Sequence, residues 1–267
     1  MPEGPEVRKY AMDLAKRVSG RTLHEIRVLS GRYLSKPAGG LEALRPQLPI
    51  DIVGTGAHGK FLYWILKDEH SIWNTLGMSG RWSPDQGKHS RVQFVLNDGD
   101  VFFDDIRNFG TLKFVRGKFQ LIEKLKSLGP DMLAEDVPDQ KFIDCLRRKQ
   151  GWEITKALMN QSVVAGVGNY IKADSLWLAK ISPLRKVEDL SDMELAGLNR
   201  AIRQVMLESL SSGGATIRTY KNFDGSKGEY SQKFLVYNQK TDPDGNEVTK
   251  EQTADGRATY WCPAVQH

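Results

Sequence analysis

The spacing of apolar residues changes character three times along the chain. Val7, Tyr10, Ala11, Leu14 and Val18 recur at i, i+3 or i+4, and i+7, which predicts an amphipathic helix from about Pro5 to Val18. Pro5 suits a first helical turn, and Gly20 lies just past the end. From Thr22 to about Val115 short runs dominate: Leu23–Leu29, Phe61–Leu66, Ser71–Leu76, Val92–Leu96, Val101–Phe103 and Leu112–Val115. They are rich in β-branched and aromatic residues, with Gly, Pro, Asn or Asp between them, and predict the strands of a β-sandwich. Asn97-Asp98-Gly99-Asp100 is a hairpin turn signal.

Helical spacing returns from Lys118 to about Leu210, broken once at Gly129-Pro130. Ser191 and Glu194 form a capping box before Leu195, Leu198, Ile202, Met206 and Leu210. Gly213-Gly214 stops that helix, and Thr216–Ser231 reads as a polar loop. Phe234–Tyr237 and Arg257–Trp261 predict a terminal hairpin around Asp242-Pro243-Asp244-Gly245. No fixed-period repeat occurs. The predicted class is α+β, with a helix-led β-sandwich followed by a helical domain and a hairpin.

Composition narrows the function classes. Charged residues make up 27% and hydrophobic residues 40%, which excludes disorder and fibrous repeats. The net charge of +5 is compatible with an anionic partner without requiring one. Cys145 and Cys262 stand far apart, so a four-cysteine zinc site is excluded and reduced thiols are expected. MPEGPEVRKY lacks the apolar core of a signal peptide. No run approaches the ~18 apolar residues of a membrane span. An intracellular protein is the expectation.

Gly54-Thr55-Gly56-Ala57-His58-Gly59-Lys60-Phe61 nearly fits two phosphate-binding patterns, GxxxxGK and GxGxxG. Both need a helix to follow, because its N-terminus holds the phosphate. Phe61-Leu62-Tyr63-Trp64-Ile65-Leu66 is strand-like, so nucleotide cofactors are rejected and a turn between strands is expected. What survives is Lys60, a cation at the root of a strand.

Pro2 becomes a secondary amine if Met1 is removed, and an α-amino group has a pKa of ~8. Such an amine can attack an aldehyde-level carbon and form an iminium without a lysine. Glu3 and Glu6 offer carboxylates to move the protons. Taken alone, these residues do no more than open a helix, where Glu suits the dipole.

Pro2-Glu3-Gly4-Pro5-Glu6-Val7 resembles the opening of the formamidopyrimidine-DNA glycosylase/endonuclease VIII (Fpg/Nei) family. Ile154-Thr155-Lys156-Ala157-Leu158-Met159-Asn160-Gln161 and Val164-Ala165-Gly166-Val167-Gly168-Asn169-Tyr170 resemble its helix–two-turn–helix. Leu76-Gly77-Met78-Ser79-Gly80 and Asp105-Ile106-Arg107-Asn108-Phe109-Gly110 also match. The final match runs through Phe234-Leu235-Val236-Tyr237 and Gly256 to Gln266, and resembles the family's zinc finger. Cys262 stands at one ligand position, but Val265 replaces the next and no cysteine pair precedes the turn. The hairpin is therefore similar to the zincless fingers of vertebrate Nei-like and giant-virus members. Tyr237, Tyr260 and Trp261 would form its core.

The resemblance implies a bifunctional DNA glycosylase and AP lyase for oxidised bases, without cofactor or metal. Pro2, Glu3, Glu6 and Lys60 would be catalytic. Lys156, Gly168, Asn169 and Arg257 would bind phosphate, with the Gly166 and Gly168 backbone as an anion nest. Met78, Arg107 and Phe109 would fill the hole left by an everted nucleotide, offsetting a few kcal/mol of unstacking. Asn108 replaces a second arginine, which weakens one expected phosphate contact. Asp174 stands where Glu is frequent, and its shorter side chain predicts a weaker brace.

Residues 1–117 would form the catalytic β-sandwich and 118–150 a hinge. Residues 151–232 would hold the helix–two-turn–helix and a lesion-capping loop, and 233–267 the finger. Gly4 resembles the Nei branch, whereas the loop with Thr219, Tyr220 and Lys221 resembles the Fpg branch. Formamidopyrimidines, hydantoins and oxidised pyrimidines are the expected substrates, with an 8-oxoguanine specialist as the alternative. A non-catalytic damaged-DNA-binding module is the alternative from another class. Damaged double-stranded DNA is the expected partner, with single-stranded DNA left open, and a monomer is the expected state.

Overall fold

The computed structural model describes residues 2–134, 136–216 and 221–267. The expectations placed on Met1, Thr219 and Tyr220 lie outside the described residues. The chain divides into two compact units. The first comprises residues 1–2, 6–126 and 213–228, and the second 3–5, 127–212 and 229–267.

Helix α1, Gly4–Val18, has Glu6 in its first turn and Lys16 and Arg17 in its last, both favourable to the helix dipole. Its Val7, Tyr10, Leu14 and Val18 stripe is buried in the core of the first unit. Strand β1, Thr22–Val28, and the short helix α2, Leu41–Leu44, follow. Then come β2 (Ile50–His58), β3 (Phe61–Leu66), β4 (His70–Thr75) and β5 (Gly80–Ser83). Strands β6 (Ser90–Leu96), β7 (Val101–Asp105) and β8 (Thr111–Arg116) complete the set, before helix α3 (Lys118–Lys126).

The eight strands run in the order β5-β7-β6-β1-β2-β3-β4-β8. β1 and β2 are joined by only two residue pairs, Thr22 with Asp51 and Leu23 with Ile50. The sheet folds over at that short seam into two antiparallel halves. Trp64 from one half meets Trp82 and Phe94 of the other at 5.0 and 5.4 Å between ring centroids. Each fully buried ring of this kind contributes on the order of 2–3 kcal/mol. The sandwich expectation therefore holds.

The Gly54–Phe61 reading needs correction, because most of that segment is strand rather than turn. Gly54 and Gly56 lie within β2, and only Gly59 and Lys60 connect β2 to β3. Gly56 pairs with Tyr63 across the strands, and a Cβ there would come within 2.5 Å of the Tyr63 ring. The glycine that looked like flexibility is the seat of a cross-strand aromatic.

In the second unit, α4 (Asp139–Arg147) and α5 (Ile154–Met159) precede α6 (Asn169–Leu178) and the long α7 (Asp192–Ser211). Ser191 and Glu194 make both arms of the capping box at α7. The second strand of the hairpin lies where expected, but the first is displaced. The hairpin pairs β9, Thr249–Gln252, with β10, Ala258–Trp261, around the turn at Thr253–Arg257.

Phe234–Tyr237 forms no strand. Asp174 explains why: its carboxylate accepts the backbone N–H groups of Leu235, Val236 and Tyr237 at 2.9–3.2 Å, which uses the donors a ladder would need. The expectation of a weak brace is thus overturned. Tyr237 stacks edge-on against Tyr260 at 5.4 Å, so part of the expected aromatic hairpin core is present.

Candidate active site and nucleic-acid interface

The residues singled out from the sequence fall into two groups, one in each unit. In the second unit, Glu3 is 3% exposed. Its carboxylate accepts the N–H of Tyr170 at 3.1 Å and of Ile171 at 3.4 Å. These are first-turn donors of α6, which have no partner inside the helix. A carboxylate at a helix N-terminus gains from both the hydrogen bonds and the dipole.

Gly168 makes the seat possible. A Cβ on it would lie 2.0 Å from Glu3 Cδ. Gly4 anchors the approach through its N–H to the Gly166 carbonyl at 2.9 Å.

This corrects the anion-nest expectation. Gly166 donates its N–H to Gln161 Oε1 at 2.9 Å, and the α6 donors of Tyr170 and Ile171 go to Glu3. The N–H groups of Gly168 and Asn169 have no acceptor among the described residues, and Gly168 is buried. The Asn169 side chain, expected to face phosphate, donates instead to the Ala258 carbonyl at 3.0 Å and ties α6 to the hairpin. Lys156 is exposed, with its ammonium 4.5 Å from the Trp152 ring centroid. Arg257 is exposed at the hairpin turn, immediately before β10.

Two groups here carry shifted acidities. Burial pushes the Asp174 carboxyl up to about 6, against the pull of its three backbone donors. Burial lowers the Lys172 ammonium, opposed by its hydrogen bond to Asp255. That bond is 2.6 Å long, with both side chains at most 2% exposed.

In the first unit, Pro2 is buried, and Glu6 is 1% exposed with its Oε1 on the Ala215 N–H at 2.8 Å. Gly214, at φ +89°, brings the chain to within 3.1 Å of Glu6 if a Cβ is added. Lys60 occupies the second position of the β2–β3 turn, where Gly59 takes the positive φ of 56°.

Met78, Arg107 and Phe109 are brought together. Arg107 Nη1 lies 3.4 Å from Met78 Sδ, and the Gly77 backbone packs on that of Phe109. Met78 and Phe109 are 43% and 58% exposed, so neither is a core residue. A cavity of about 370 Å³, lined by Ser79, Arg81, Lys88, His89, Ile106 and Lys221 among others, lies beside this loop.

Sequence reasoning missed the residue that shapes the loop. Asp105, 1% exposed, accepts the Ser79 hydroxyl at 2.6 Å, the Arg107 N–H at 3.2 Å and the Gly110 N–H at 2.7 Å. An acid closing the fully buried strand β7 was the available signal. Asn108 sits at φ +56°, a left-handed position that Asn tolerates better than most residues.

The donor set does not fit a zinc ion. Cys145 lies in α4, and Cys262 is buried, with its N–H on Gln266 Oε1. No group of three or more His, Cys, Asp or Glu able to hold a metal occurs among the described residues. Among them, no helix is long and apolar enough to cross a membrane.

Comparison with known proteins covers nearly the whole chain. Family models match for the formamidopyrimidine-DNA glycosylase N-terminal domain at 1–112, its H2TH domain at 128–221 and its C-terminal domain at 226–267. The chain is 30% identical to the formamidopyrimidine-DNA glycosylase of Halalkalibacterium halodurans, over 100% of both chains. It is also 30% identical to that of Bacillus subtilis, over 100% of this chain and 99% of the other.

Among solved structures, a Lactococcus lactis Fpg variant bound to Fapy-dG-containing DNA matches with TM-score 0.87 and 30% identity, over 100% of both chains. The Lactococcus lactis Fpg complex with abasic-site DNA matches with TM-score 0.87 and 30% identity, over 99% of both.

Proposed function

The chain belongs to the formamidopyrimidine-DNA glycosylase family, and from that premise we propose that it is a base-excision-repair DNA glycosylase with AP lyase activity on oxidised bases. The observation that carries this reading is the seating of Glu3 on the first turn of α6, over a glycine, one residue after Pro2 in the chain. A buried acid held there by backbone donors has no surface role.

Chemistry starts when Met1 is removed, because the Pro2 nitrogen is otherwise an amide without a usable lone pair. The Pro2 amine attacks C1′ of an everted damaged nucleotide. The new N–C1′ bond forms as the bond to the base breaks, and the base leaves with a proton. Glu3 gives a proton to the sugar ring oxygen, which opens the ring and leaves an iminium. The iminium is the electron sink, so loss of the C2′ proton drives β-elimination and then δ-elimination of the flanking phosphates. Water finally hydrolyses the imine, with Glu6 placing it. Lys60 neutralises phosphate next to the lesion.

Lys156, the Gly168 and Asn169 N–H groups and Arg257 supply phosphate contacts, which carry little sequence information and weaken with salt. Phe109 and Met78 restack the gap while Arg107 meets the orphaned base. Formamidopyrimidines, hydantoins and oxidised pyrimidines are the substrate range we favour. The test is incubation with end-labelled duplexes carrying a formamidopyrimidine, 8-oxoguanine or an oxidised pyrimidine. The reading predicts a one-nucleotide gap with phosphate on both ends. Intact strands from protein lacking Met1 would leave only a DNA-binding role.

A further inference from the structure

The hairpin turn that carries Arg257 is held on the second unit's helices by three contacts. Ala254 N–H donates to Glu153 Oε2 at 3.1 Å, beside the start of α5. Asn169 donates to the Ala258 carbonyl. Between them, Lys172 of α6 meets Asp255 at 2.6 Å, and neither side chain reaches water.

The other Asp255 oxygen accepts the Thr253 hydroxyl at 2.6 Å. Thr253 in turn holds the Arg257 carbonyl through its N–H at 3.0 Å and lies within hydrogen-bond reach of it through Oγ1 at 3.1 Å. A continuous line of contacts therefore runs from Lys172 through Asp255 and Thr253 to Arg257. Lys172 and Asp174 are the only charged residues of α6, and Asp174 serves residues 235–237 instead.

A buried ion pair is a poor source of net stability, but it tolerates only one geometry, since neither charge has water to fall back on. We propose that Lys172 and Asp255 are positioning residues that set Arg257 at the height and angle at which it takes a DNA phosphate. This inference rests on the DNA-binding reading above.

The test is a double-mutant cycle on binding to a duplex with a tetrahydrofuran abasic analogue, which the enzyme cannot process. In the wild-type background, Arg257→Ala weakens binding about tenfold, the scale of one charge-assisted hydrogen bond. In the Asp255→Asn background the same change costs less than about twofold, because Arg257 is already misplaced. Lys172→Arg, which keeps the pair, retains the wild-type cost.

An equal tenfold loss in both backgrounds would overturn the proposal and reduce the pair to a structural contact. Should Asp255→Asn not fold, Thr253→Val cuts the same line one step later and is read the same way. A wild-type protein that does not bind the duplex would refute the DNA-binding reading itself, which is a separate outcome.

Discussion

Gly168→Ala isolates the role of the Glu3 seat. Gly168 has φ −128° and ψ −160°, extended backbone open to alanine, so the substitution introduces no backbone strain. Its only consequence is the new Cβ, 2.0 Å from Glu3 Cδ and 2.3 and 2.4 Å from the two carboxylate oxygens. The carboxyl must leave the seat. It then loses a bond of 3.1 Å from Tyr170 and a weaker one of 3.4 Å from Ile171.

One hydrogen bond to a charged group is worth about 1.5–3 kcal/mol, and proximity to a helix N-terminus adds about 0.3–1. A misplacement on that scale slows the chemical step roughly 10²-fold. Single-turnover excision, with enzyme in excess over a lesion-bearing duplex, measures that step directly. Alanine keeps the backbone N–H, so the affinity for the duplex should change by less than about threefold. The opposite pattern, unchanged rate with weakened binding, would mean that Gly168 serves phosphate alone and that the Glu3 seat is not part of catalysis.

Phe109→Ala should leave thermal stability within a few degrees of wild type, since the ring is 58% exposed, yet lower excision from duplex DNA; a large fall in the melting temperature would return Phe109 to the core. Asp174 gives a pH signature: its folded value near 6 lies above the unfolded ~4, so the folded state holds the extra proton between them. The sign follows from proton linkage: this group's contribution is present below pH ~4 and is lost, by up to about 3 kcal/mol, as pH rises through ~6. Melting curves of wild type and Asp174→Asn should therefore diverge across that window, and parallel curves would refute the assignment.

The sequence was most informative where one physical signal acts locally. Helices α1 and α7 follow from apolar periodicity with caps, and the strands of the sandwich from short apolar runs between turn residues. It was misleading where a side chain distant in sequence decides the backbone. Asp174 takes the donors of residues 235–237, and the first strand of the hairpin lies some fifteen residues further along the chain. Gly56 reads as a loop until Tyr63 is seen lying over it.

The site behaved in the same way. Glu3 and Gly168 were both legible as residues of interest, but their contact spans 165 positions, and no local pattern contains it. Met78, Arg107 and Phe109 were identified through resemblance, and exposure supplied the physical reason. Asp105 and the Lys172–Asp255 pair went unread because a buried charge is visible only once burial is known.

The central claim is that the amine of Pro2 forms the covalent intermediate. Borohydride reduction of the wild-type protein on a duplex with one abasic site, followed by proteolysis and mass spectrometry, tests it most directly. The account predicts a trapped protein–DNA band whose sugar remnant maps to the N-terminal peptide beginning at Pro2, with Met1 absent. An adduct on Lys60 or another lysine, or no adduct from protein that begins at Pro2, would contradict it.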